Sequence, residues 1–90
     1  TQVAVAKSFN YDLARRVMRG EYLVKETSMA KNFSSDIAVA VCYAAVQILG
    51  GMGYMRETRV ERLSRDARLL PIGGGTSEIM NEIIAKGLGL

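Results

Sequence analysis

Ninety residues supply one domain at most, and 49% apolar with 23% charged residues place the chain among ordinary globular sequences, clear of disorder. Twelve Lys and Arg against nine Asp and Glu give a net charge of +3, too mild a basicity to mark a nucleic-acid binder by itself. The absence of histidine excludes a Ser-His-Asp triad, a Cys-His pair and any His-ligated metal centre, and the single cysteine, Cys42, closes no disulfide within the chain.

The chain opens at Thr1, with neither a starting methionine nor a signal-like segment, and is expected to be a piece of something longer. Its periodicity is helical almost throughout, with no strand-like alternation. The first helix is expected from near Val3 to Arg19, with Val5, Phe9, Leu13 and Val17 on its apolar face and Gly20 as a left-handed cap. The second starts near Glu21, steps Leu23, Ala30, Phe33, Ile37, Val41, Ala44 and Ile48 along one face, and ends at Gly50-Gly51. The third begins at Thr58-Arg59-Val60-Glu61, the pattern of a capping box, and runs to about Leu69, where Pro71 stops it. The fourth follows Gly73-Gly74-Gly75, with Thr76 as N-cap, Glu78 in the first turn, and Ile79, Ile83 and Leu88 as its stripe.

The second helix sets two requirements. From Ile37 to Met55 run 19 residues without a charge, close to the ~17–25 of a membrane span. Gln47 and three glycines lie inside that stretch, and only 13 residues, Ile37 to Leu49, are helical in it, so a buried core helix running into a glycine turn is expected. A helix from Glu21 to Leu49 would also be about 43 Å long, against a radius of gyration of about 12 Å for a compact chain of this size. Such a helix overhangs its own domain and needs either more chain or another copy to cover it.

Arginine recurs every third residue at Arg56, Arg59, Arg62, Arg65 and Arg68. A three-residue step falls about 60° short of a full turn, so the five spiral around a helix without sharing a face. Glu57, Glu61 and Asp66 are interleaved, with Glu61 and Arg65 spaced for an i,i+4 pair; a solvated, ion-paired helix and a phosphate-binding run both fit. No aromatic residue alternates with these arginines, which weighs against single-strand nucleic-acid binding.

Two glycine clusters remain, Gln47 to Tyr54 after the long helix and Gly73 to Glu78 before the short one. Glycine lets a backbone approach a ligand closely, and a helix N-terminus offers free N–H groups to a phosphate. Neither is a Walker loop, lacking Gly-Lys-Ser/Thr, or a Rossmann fingerprint, lacking a preceding strand. Each taken alone also reads as a tight helix connection. Cys42 reads as a small core residue and the five methionines as packing.

Ala30-Lys31, the run Ala45 to Tyr54 around Gln47 and Gly50-Gly51, Val60-Glu61-Arg62, Arg65-Asp66-Ala67-Arg68 and the run Pro71 to Ile79 follow one another in order and at short spacings. As an ordered set they resemble the C-terminal helical domain of the acyl-CoA dehydrogenase family, best from about Glu21 to Ala85. The resemblance implies an all-α fold, a four-helix up-down bundle piece with one long helix, covering residues 1–90, with the family's N-terminal helical and middle β domains absent. It implies a parent flavoprotein, an oxidoreductase of fatty acid metabolism that converts acyl-CoA thioesters to trans-2-enoyl-CoA. A glutamate there removes the α proton, the β hydrogen leaves as hydride to FAD, and electron-transferring flavoprotein accepts the electrons. A tetrameric homo-oligomer in an intracellular compartment, cytoplasmic in a bacterium and otherwise mitochondrial, with no membrane or nucleic-acid partner, completes what the resemblance implies.

Carried over by position, Gln47 and the Gly50-Gly51 turn would touch FAD of a neighbouring subunit. Thr76, Ser77 and Glu78 would contact the phosphate or ribose region of FAD in their own subunit, and Gly75 would lie beside the acyl-CoA. Arg65 and Asp66 would hold the bundle and the subunit contact. In many members the residue before the Gly-Thr pair is the catalytic glutamate; here it is Gly74, so no catalytic residue is expected in this chain. The base would then come from an earlier helix, as in the branch that includes long-chain and isovaleryl-type enzymes, because deprotonating a thioester α carbon needs a positioned carboxylate. Glu78, three residues past the glycine trio, is no substitute. Arg59 stands where the family often has proline, so the turn before the third helix is expected to differ slightly. The chain alone is thus expected to be inactive, to bind FAD weakly or not at all, and to self-associate. The other reading is a non-catalytic relative that uses the bundle for self-assembly or nucleic-acid binding, supported only by the arginine run.

Overall fold

The computed structural model describes all 90 residues, Thr1–Leu90, as five helices and no strand: α1 (Gln2–Met18), α2 (Val24–Leu49), α3 (Gly51–Tyr54), α4 (Arg59–Ala67) and α5 (Ser77–Gly87). The end of α1 follows from Gly20, whose φ of +85° lets its own N–H and that of Glu21 turn back to the carbonyls of Val17 and Arg16 in a Schellman cap. That cap also moves the start of α2 from Glu21 to Val24. Glu21 is spent on closing α1, its carboxylate accepting from Arg16 Nε at 2.8 Å and Arg19 Nη2 at 3.0 Å.

At 26 residues α2 is about 39 Å long, and the rest of the chain is arranged along it. The partners of α2 fall in number as its own rise: Lys25 lies against Gly87, Asn32 against Ser77 and Asn81, Ser35 against the Leu70 carbonyl. Helices α4 and α5 therefore run end to end, both antiparallel to α2, one covering its C-terminal half and the other its N-terminal half. On a separate side α1 packs antiparallel, with Asn10 Nδ2 donating to Ser34 Oγ at 2.8 Å, and touches neither α4 nor α5. The expected bundle piece is thus an open one, with a single central helix shared by all the others.

Two local expectations change. The Gly50-Gly51 turn leads into a fifth helix, the single turn α3, because Gly53 fits directly against the α2 backbone: a β carbon there would stand 2.6 Å from the Val46 carbonyl oxygen. The capping box at Thr58 does not form. Thr58 Oγ1 donates to the Met52 carbonyl instead, and Glu61 turns away to Arg65, so α4 starts without a side-chain cap and ends at Ala67, short of Leu69. Arg59 takes the first helical position, where a proline is equally at home, so the substitution leaves the helix start intact. Thr76 caps α5 as expected, accepting from the Ile79 N–H at 3.3 Å.

The core is small. Leu13, Leu23 and Ala30 cluster with Phe9 against them, and Ala6, Ile37 and Ala67 complete the buried apolar set. Val5 and Val17 of α1, Phe33, Val41, Ala44 and Ile48 of α2, Ile79 of α5 and Leu88 just past its end remain exposed, although all were expected on packed faces. The physical reason is that α2 has neighbours on part of its circumference only. Cys42 is half-buried on α2. The argument that the uncharged stretch is too short to span a membrane also falls, since α2 is one continuous helix, long and apolar enough to do so. Its place in this fold comes from the four helices docked on it and from Lys25, Glu26, Lys31 and Asp36 in its N-terminal half.

Candidate functional site

The turn from Leu69 to Thr76 lies over the middle of α2, where α4 hands over to α5. Pro71 ends the helical run, the Gly73 N–H closes back on the Leu69 carbonyl at 2.7 Å, and the Ser77 N–H reaches the Pro71 carbonyl at 3.1 Å. Gly75, at φ +104°, makes the reversal that sets α5 on its course, a conformation closed to residues with a β carbon. Gly74 precedes it on the open side, with no atom within 4 Å of where its β carbon would stand.

Much of the hydrogen-bonding capacity of this turn is unspent. The backbone N–H groups of Gly74, Gly75, Thr76 and Glu78 have no backbone acceptor. Ser77 is half-buried with its hydroxyl unbonded, while Glu78 is exposed on the first turn of α5. From below, Lys31 Nζ donates to the Gly75 carbonyl at 2.5 Å, and Lys31 has no carboxylate partner. Free N–H groups, a serine hydroxyl, the positive end of a helix and an unpaired ammonium together fit phosphate and sugar oxygens, with Glu78 as an acceptor for sugar hydroxyls.

Gln47, Gly50 and Gly51 form the other cluster, all exposed at the far end of α2. Gly50, at φ +56° and ψ −136°, breaks α2 sharply and turns the chain into α3. Fifteen residues of helix, about 22 Å, separate Gln47 from Asn32 beneath the first cluster. The fold thus brings Gly74, Gly75, Thr76, Ser77 and Glu78 together with Lys31 and Asn32, and keeps Gln47, Gly50 and Gly51 apart from them.

The arginines Arg56, Arg59, Arg62, Arg65 and Arg68 are all exposed. Only Arg65 is paired, in a fork with Glu61 at 2.6 and 3.3 Å that holds the Glu61 carboxyl below its ordinary range. The run is thus solvated throughout and ion-paired at Arg65 alone. Lys31 and Asn32 were not singled out for any role at the site, because no spacing rule links them to residues more than forty positions ahead, and as a polar pair they do not stand out in an N-terminal half of α2 that also carries Lys25, Glu26, Ser34, Ser35 and Asp36.

The acyl-CoA dehydrogenase C-terminal domain model matches residues 1–89. An acyl-CoA dehydrogenase of Bacillus subtilis is 48% identical over 86 residues, 96% of this chain and 23% of that protein. The caffeyl-CoA reductase-Etf complex subunit CarC of Acetobacterium woodii is 40% identical over 85 residues, 94% of this chain and 22% of that subunit. Among solved structures, the acyl-CoA dehydrogenase of Geobacillus kaustophilus superposes on the whole chain with a TM-score of 0.98 at 38% identity, over 24% of its own length. The chain thus spans less than a quarter of the length of the relatives it matches. Nothing in the geometry or in these comparisons supports a non-catalytic assembly or nucleic-acid module. By sequence along its whole length and by fold, the chain belongs to the acyl-CoA dehydrogenase family, as its C-terminal domain.

Proposed function

We propose that residues 1–90 are the C-terminal domain of a longer FAD-dependent acyl-CoA dehydrogenase, whose N-terminal helical and middle β domains complete the site. The observation that carries this reading is the donor-rich turn at the start of α5, where four backbone N–H groups are unspent above an unpaired lysine. Thr76, Ser77 and Glu78 would hold the phosphate or ribose region of FAD in their own subunit, and Gly75 would border the acyl-CoA. FAD, when bound, supplies the hydride acceptor for α,β-dehydrogenation. Gln47, Gly50 and Gly51 would meet FAD of a neighbouring subunit; their separation of about 22 Å from the turn supports two cofactors served by one chain.

In this reading the base lies outside residues 1–90. Gly74 leaves open space where a side chain would stand, and Glu78 is exposed on α5, so the carboxylate that removes the α proton is assigned to the upstream part of the protein. The Etf partnership in the name of the A. woodii relative supports an electron-transferring flavoprotein as acceptor. The exposed apolar faces support association, which this reading takes as a tetramer of the parent; an intracellular compartment, the cytoplasm of a bacterium or a mitochondrion, belongs to the same reading. A visible spectrum of the full-length protein, taken anaerobically before and after adding acyl-CoA, tests the reading. A flavin band that bleaches establishes the half-reaction; a colourless protein ends the proposal. The 90-residue chain alone is expected to be inactive and to hold FAD weakly or not at all.

A further inference from the structure

We propose that Lys31 and Asn32 are positioning residues for the cofactor-contacting turn: from the middle of α2 they aim its free N–H groups outward and so set how tightly the protein holds FAD. This rests on the reading of the turn given above. A trans peptide unit is planar, with its C=O and the next residue's N–H pointing in opposite directions. Lys31 Nζ grips the Gly75 carbonyl at 2.5 Å, which directs the Thr76 N–H away from α2. Asn32 Nδ2 grips the Ser77 carbonyl at 3.1 Å, which pins the first peptide unit of α5, whose Glu78 N–H points out of the helix's N-terminal end. These are two of the four N–H groups without a backbone acceptor.

Asn32 carries a visible cost for this arrangement. The Ser77 carbonyl can only accept, so the amide nitrogen must face it, and that nitrogen also donates to Asn81 Oδ1 at 2.9 Å. The amide oxygen is left buried without a partner, an uncommon and unfavourable state. An apolar residue would fill the same place between helices without that penalty. The polar pair is explained by what it does to the turn, since no carboxylate neutralises Lys31 and no other donor reaches the Gly75 carbonyl.

The test uses the full-length protein with Lys31→Met, which keeps the stem, Lys31→Arg, which keeps the charge, and Asn32→Asp, which keeps the shape but removes both donors. FAD affinity, thermal midpoint of the apoprotein, and amide exchange of Ser77, Ile79 and Met80, all bonded within the turn, are read together. We expect K31M and N32D to weaken FAD binding by about tenfold and to speed those three amides, with K31R restoring affinity to within about threefold. Wild-type affinity and wild-type exchange in folded K31M and N32D would overturn the proposal. So would an affinity loss that simply follows the thermal midpoint and is not rescued by K31R. A wild-type protein that binds no FAD would instead overturn the proposed function, and the amide exchange would then decide the positioning role by itself.

Discussion

Gly53 and Gly74 are chemically identical and stand in opposite situations. A β carbon at Gly53 would meet the Val46 carbonyl oxygen at 2.6 Å and the Val46 α carbon at 2.9 Å, both backbone atoms of α2 that cannot yield. At Gly74 nothing stands in the way, and the cost is the left-handed φ of +67° alone. Gly53→Ala is therefore expected to destabilise the full-length protein by about 3 kcal/mol, at the upper end for overpacking, and Gly74→Ala by about 1–2 kcal/mol. Urea midpoints of the two variants, compared with wild type, check the order. The acidic side chains carry a second prediction at this scale. Hydrogen bonds from Arg16 and Arg19 hold the Glu21 carboxyl below its ordinary value of 4.5, and Arg65 does the same for Glu61. A folded-state value below the unfolded one contributes stability that is full above the unfolded value and is lost as pH falls through the folded one. The thermal midpoint should thus drop between about pH 5 and pH 3. In Glu21→Gln/Glu61→Gln the drop should be shallower, and 0.5 M salt, at roughly a 4 Å screening length, should narrow the difference, more through Glu21, whose side chain is 38% exposed, than through Glu61, at 14%.

At the scale of elements, what was legible in the sequence was whatever a short stretch decides for itself. Gly20 and Thr76 end and begin their helices through bonds to residues within five positions, and both act as read. The capping box failed because Thr58 had a better offer from outside its own helix, the Met52 carbonyl within α3. Nothing local could announce α3, since its one turn depends on the fit of Gly53 against α2. The candidate site divides in the same way: the glycine turn and the α5 N-terminus were legible, while Lys31 and Asn32 reach it only because α5 lies antiparallel along α2. If Thr58 serves α3 and not α4, Thr58→Val should loosen Met52 to Met55 and leave α4 intact. Amide exchange of Met55 and Thr58, bonded to Met52 and Met55 respectively, should then rise by about tenfold, with the α4 amides beyond Glu61 unchanged. Equal loosening of both helices would return Thr58 to the role of an α4 cap.

The whole molecule has too much surface for its mass. A compact monomer of 9.8 kDa should expose about 5,200 Å², whereas this chain exposes 6574 Å², with a radius of gyration of 15.5 Å against about 12 Å. The difference of about 1,400 Å² exceeds the ~800 Å² per partner of a standard interface and enters the range of obligate ones. Its chemistry agrees: Val41, Tyr43, Ile48, Met52 and Tyr54 lie exposed along the C-terminal part of α2 and on α3, and only nine of the 90 residues are buried. A core of that size supplies little hydrophobic stabilisation, so the domain needs the remainder of its protein, another copy of itself, or both. The isolated chain is accordingly expected to associate, and sedimentation at about 100 μM, well above the Kd of a standard interface, should resolve dimers or larger species. Ile48 is 83% and Tyr54 81% exposed, so an aspartate at either position disturbs no internal packing. Ile48→Asp/Tyr54→Asp should shift the distribution towards monomer while keeping the helical content. A helical, stable wild-type monomer at that concentration would mean that the missing partner for these faces is the rest of the protein and not a second copy.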